Sequence, residues 1–132
     1  MSKKWPADFP ANCPPKTASH SKDKFYRLVD NFPPDSNDFL RTRDNPTQKD
    51  KDFHGAGIIN SYGTSFFSKI GDALSTKRKF KKAMASKKIA SGVIGDDVGV
   101  VMQTYKPSHH TAWFYTDAVP ENCFKTEEKE ES

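Results

Sequence analysis

The sequence predicts an α+β domain with a mainly antiparallel sheet, one short and one long helix packed against it, a disordered N-terminal arm and a charged C-terminal tail. Three observations predict it. Short aromatic and β-branched runs are separated by turn residues, one stretch carries apolar residues at helical spacing, and both ends lack any hydrophobic period. The order is strand, helix, strand, long helix, then three strands. Neither a βαβ rhythm nor a Gly-rich phosphate loop before a helix is present, which argues against a doubly wound nucleotide fold.

With 132 residues the chain has room for one core, and ten Phe, four Tyr and two Trp supply bulky material for it at a hydrophobic fraction of 34%. Residues 1–23 are rich in Pro, Lys and Ser and read as a flexible arm. The domain is expected over 24–124, with 125–132 as a solvated tail.

Lys24 to Asp30 form the first strand, stopped by Asn31-Phe32-Pro33-Pro34. Asp35 or Ser36 then caps a short helix that places Asp38 in its first turn and turns Phe39 and Leu40 inward. The run from Arg41 to Phe53 is polar, carries Pro46, and reads as an exposed loop. Glycines around short apolar pairs make His54 to Phe67 a set of turns with one brief strand, and Ser68 reads as an N-cap. A helix is expected over about 69–86, with Ile70, Leu74, Phe80 and Met84 in one stripe that Lys77 and Lys81 interrupt. Ile89 to Ile94 and Val98 to Thr104 read as a hairpin turning at Gly95-Asp96-Asp97. His109 to Tyr115 is the last strand.

Neither an apolar run of about 18 residues nor the short apolar segment of a secretory signal occurs. Cys13 and Cys123 are too few and too peripheral for a disulfide framework, so a reducing cytoplasm is expected. No metal site and no cofactor are expected, since His109 and His110 point to opposite faces without a Cys or acidic ligand beside them.

Alternation along the first strand sets Arg27 between Phe25 and Val29 on one face. A guanidinium so placed must meet a carboxylate, several carbonyls or an anionic ligand, and an ion pair with Asp38 or Asp97 is the structural alternative. On the last strand His109, Thr111, Trp113 and Tyr115 share a face able to stack a planar ligand and bond its edges; an ordinary core is the alternative there. Ser65 can supply a hydroxyl ligand or simply bond its own turn. The expected site is therefore Arg27, Ser65, His109, Thr111 and Trp113. Its occupant would be an anionic or aromatic small ligand, or a protein partner. The alternative is a toxin-like enzyme acting on a nucleotide or nucleic acid, with His109 as the candidate general acid or base and Arg27 as the anion clamp.

The long helix is strongly basic, and with a net charge of +4 it suggests weak polyanion or nucleic-acid binding through Lys77, Arg78, Lys81, Lys82 and Lys88. A solvated helix face is the alternative.

The motifs Tyr26 to Val29, Pro33-Pro34, Asp38-Phe39, Gly63-x-Ser65-Phe66 and His109-x-Thr111-x-Trp113 resemble, in that order, a family of small, mostly uncharacterised bacterial proteins. The resemblance spans nearly the whole domain except the polar loop 41–53, and implies no particular activity. More remotely the chain is similar to ADP-ribosyltransferase-like folds, which would give Arg27 and Ser65 roles in holding a nicotinamide dinucleotide. Gln103-Thr104-Tyr105 has an aromatic where that pattern needs its acid, so a binding relic is implied in place of a toxin-like transferase.

Overall fold

The computed structural model describes residues 3–48 and 50–127. The strands are β1 (Lys24–Val29), β2 (Thr64–Phe67), β3 (Lys88–Val93), β4 (Gly99–Gln103), β5 (His109–Phe114) and β6 (Phe124–Thr126). They form one sheet in the order β4-β5-β2-β1-β3-β6, and every pairing is antiparallel. The helices are α1 (Ala56–Ser61), α2 (Ile70–Lys79) and α3 (Lys81–Met84). The α+β class with an antiparallel sheet is as the sequence predicts.

Cross-strand partners share a face of the sheet, and the registers bring Phe25, Phe66, Ala90, Val101, Ala112 and Phe124 onto one side. These side chains are buried in a single core with Phe39, Ile94 and Val98. Phe39 reaches it from a 3-10 turn, Ser36–Phe39, and packs its ring 5.2 Å from Phe124 and 6.3 Å from Phe66. Asp35 caps that turn and Asp38 completes a capping box. The Asp38 carboxylate accepts from the Asp30 and Asp35 amides at 2.7 and 3.0 Å, fixing the turn against the end of β1. The opposite face carries Ile89, Thr111 and Trp113, and α2 packs on it through the fully buried Ala73.

The expected hairpin of the third and fourth strands does not form. β3 pairs with β1 and β6, while β4 pairs with β5 at the far edge. Ile94 and Val98 flank the intervening turn and both lie in the core. Burying them anchors the connection in the core while it joins β3 to β4, which three strands separate in the sheet. β6 was not foreseen, because three residues are too few to show an alternation; Lys125 and Thr126, read as the start of the tail, lie in it. Residues 128–132 of that tail fall outside the described residues.

The helix expected over 69–86 is broken at Phe80, which has φ −109° and ψ 50° and is 49% exposed. Repulsion between Lys77 and Lys81, and between Arg78 and Lys82, each one helical turn apart, disfavours a continuous helix there. Ser68 is not a cap: Lys69 holds that position without a side-chain bond. The Pro-rich stretch read as a flexible arm makes defined contacts. Trp5 stacks on Tyr115 at 4.4 Å, Asp8 meets Arg41 through both carboxylate oxygens at 2.8 and 2.9 Å, and Ser19 bridges Val101 at the free edge of β4.

Candidate functional site

β1 and β2 share a single register pair, Tyr26↔Phe67, so their ladder opens immediately beyond it. Arg27 fills that opening. Its Nε donates to the Asp38 carbonyl at 2.6 Å and Nη1 to the Ser65 carbonyl at 2.7 Å, while the guanidinium carbon sits 5.8 Å from the Phe66 ring centroid. Among the described residues no carboxylate forms an ion pair with it. The expected alternative of an Asp38 or Asp97 pair is therefore replaced by carbonyls: the Asp38 carboxylate is already committed to backbone amides. Burial pushes the guanidinium pKa down to about 10, against a partial upward pull from the Asp38 and Asp30 charges.

Arg27 lies in the wall of a hollow of about 560 Å³ with Ser65 and Thr111, so three of the five expected site residues share one cavity. Its other walls come from α1 and the polar loop: Asn60 and Ser61 on one side, Thr42, Asn45 and Gln48 on another, with Lys51, Asp52 and His54 among its charged or ionisable side chains. Asn60 is only 8% exposed, yet its amide makes no hydrogen bond to a described residue. The position of α1 depends on Gly63, where a Cβ would stand 2.7 Å from the Ala112 carbonyl oxygen of β5. Only glycine lets the helix turn back so close to the sheet.

His109 and Trp113 take no part in this hollow. Trp113 is completely buried and its Nε1 donates to the Ile59 carbonyl at 3.0 Å, the core alternative for that residue. His109 bonds Thr104 Oγ1 through Nδ1 at 2.8 Å, and Thr104 in turn bonds Thr111 at 2.8 Å. Burial lowers the imidazole pKa, with Lys106 and His110 adding to the effect and a Thr104 backbone bond opposing it. The His109 ring stands edge-on to exposed Tyr105 at 5.2 Å, so it backs a residue of the cavity wall without lining it. His110, on the core face, packs 5.1 Å from Phe25.

Asn60 and Tyr105 were missed by sequence reasoning. The segment holding Asn60 reads as turns because Gly55 and Gly57 mask a six-residue helix. Its one signal is a polar residue directly after Ile58-Ile59. The basic residues Arg78, Lys81, Lys82 and Lys88 are solvent-exposed along α2, α3 and the start of β3, away from the hollow; Lys77 is half-buried in α2. Among the described residues no group of three His, Cys, Asp or Glu side chains gathers to hold a metal, and no helix is long and apolar enough to cross a membrane.

Comparison of the chain with family models, with curated proteins and with solved structures gives no significant match. What the fold and the cavity define is an α+β domain with a polar hollow built where one strand pair of its sheet opens.

Proposed function

We propose that the chain is a binding module for a small anion, held between Arg27, Asn60, Ser65 and Thr111. One observation supports this above the rest: a largely buried guanidinium stands in the wall of a cavity with no ion-paired carboxylate. Two carbonyls satisfy two of its donors, the nearby Asp38 and Asp30 charges offset its burial only in part, and a carboxylate or phosphate matches the remaining fork. The Asn60 amide offers a further donor and acceptor in the same cavity, without a partner of its own. At about 560 Å³ the hollow is of ligand size. The lysine-rich α2 and α3 provide the second reading, salt-dependent attraction to a polyanion, on the strength of exposed Phe80 flanked by Lys79 and Lys81.

The test is a titration of the full chain with acetate, phosphate, N-acetylglycine and adenosine monophosphate, followed by tryptophan fluorescence and melting temperature. A saturable rise in melting temperature with at least one anion is expected, and Asn60→Leu should weaken it tenfold or more. A flat response to all four, with Asn60→Leu indistinguishable from the wild type, overturns the reading. Binding that vanishes with salt and with charge reversal at Lys81 and Lys82, but not with Asn60→Leu, would favour the polyanion surface instead.

A further inference from the structure

Asn60 does not face one cavity alone. Along the neighbouring face of α1 lies a second hollow of about 610 Å³, roofed by the N-terminal segment at Pro15 and walled by Ala56, Ile59 and Met102. Its surface is more apolar: those four side chains dominate it, with Asn12, Lys16, Gln103 and Thr104 also in the wall. Asn60 and Tyr105 line both hollows. Tyr105 holds a backbone φ of 59°, a left-handed conformation unfavourable for a bulky residue, and its ring is 72% exposed. The roof is fastened at this point, since Thr17 Oγ1 lies 2.9 Å from the Met102 sulfur and the Cys13 thiol faces the Ile59 carbonyl at 4.0 Å.

We infer that the ligand is an anion carrying an apolar tail, its charged end beside Arg27 and its tail in the second hollow under the N-terminal segment. Asn60 stands at the junction, and a primary amide both donates and accepts, so the group that joins head and tail is one with both functions, an amide bond. An N-acylated amino acid has that layout: a carboxylate, an amide and an alkyl chain in series. Asn60, a residue only 8% exposed whose amide has no hydrogen bond to a described residue and which lines both cavities, is what ties the two hollows into one site. The inference rests on the anion-binding reading of the first hollow.

The experiment compares N-acetylglycine, N-hexanoylglycine and N-octanoylglycine by calorimetric titration of the full chain. Affinity should rise about fourfold for each methylene that enters the apolar hollow. Ala56→Phe, at an exposed first position of α1, narrows the second hollow without touching Arg27 and should abolish the dependence on chain length. Should that variant fold poorly, Met102→Gln places a polar amide in the same wall and should cut the advantage of octanoyl over acetyl at least tenfold. If N-acetylglycine binds but longer chains bind no better, the two-hollow inference falls and the anion site stands. If the chain-length gain survives both substitutions undiminished, the tail lies elsewhere and the inference is likewise overturned. If none of the three binds and the simple anions also fail, the anion-binding reading falls with it.

Discussion

Arg27 and Trp113 are both polar-tipped side chains set in strands of one sheet, and the fold treats them oppositely. Trp113 has one donor, and the Ile59 carbonyl takes it at 3.0 Å, so the side chain closes completely into the interior. Arg27 has five donors and a charge that no rotamer can discard. Two carbonyls take two of those donors, and the wall of a cavity takes the rest of the group. A neutral group with one hydrogen bond to make is easily absorbed into a core, whereas a guanidinium needs either a counter-charge or an opening. This sheet provides the opening by releasing the β1–β2 ladder after one pair.

The sharpest way to break the comparison is at Trp113. Trp113→Ala removes the largest fully buried side chain and should cost about 3–5 kcal/mol, enough to unfold a domain of this size at moderate temperature. Trp113→Phe keeps most of the volume and removes one bond from the Ile59 carbonyl, which still accepts from the Tyr62 amide at 3.1 Å, a loss of about 0.5–1.5 kcal/mol. Urea titration measures both. Anion binding by the folded Trp113→Phe protein should match the wild type; a loss of binding would return Trp113 to the site and erase the contrast.

Arg27→Met comes next. It leaves the Asp38 and Ser65 carbonyls without their donor, at roughly 1–3 kcal/mol for each unsatisfied group, but also relieves the burial of a charge, so the net loss should be smaller than for Trp113→Ala. Anion-dependent stabilisation should disappear altogether. A variant that is less stable yet still gains melting temperature with anions would make Arg27 a purely structural clasp.

What could be read in advance divides along the same line. Alternation marked β1 and β5 residue by residue, because period-two patterning is local and follows from which face is buried. That Arg27, Ser65 and Thr111 meet does not follow from facing, since the registers put Arg27 on the Phe66 side and Ser65 and Thr111 on the other; the meeting depends on the opening of the β1–β2 ladder. The pairing of β3 with β1 and not with β4 was not legible either, because the driving contacts of Ile94 and Val98 join residues far apart in sequence. Asn60 escaped for a local reason: a short helix with two glycines at its start carries too little pattern to declare itself. His109 was legible as a neighbour of Thr111 and Trp113 on one strand face but not as the support of Tyr105, which depends on a turn conformation with positive φ.

His109 gives a smaller, pH-dependent test. Burial lowers its folded-state pKa below the unfolded value of 6.5, so near and below that pH the unfolded chain binds more protons than the native one. Native stability should therefore fall as pH is lowered from 7 toward 5.5, before the carboxylates of Asp8 and Glu127 begin to titrate, both held low by Arg41 and by Ser91 respectively. His109→Gln should flatten that slope in urea midpoints measured across the window. An unchanged slope would place the proton uptake at another histidine and free His109 from its link to Thr104.

The smallest effect concerns the roof of the second hollow. Burial raises the Cys13 thiol pKa to about 11, from an ordinary 9.0, so the docked N-terminal segment should carry on the order of a hundredfold fewer thiolates at Cys13 than an open chain would. Alkylation at pH 8 should accordingly be slow at Cys13 compared with the same thiol in the urea-unfolded chain. Asp8→Ala removes the bidentate contact to Arg41, which as an exposed ion pair is worth under about 1 kcal/mol, so the segment should loosen without the domain unfolding. Faster labelling at Cys13 alone, with an unchanged urea midpoint, is the expected result. Equal rates at Cys13 in the folded and the urea-unfolded protein would show that the segment is not docked, and the apolar hollow would then lack the wall that Pro15 gives it, while the polar hollow beside Arg27 would keep all of its own.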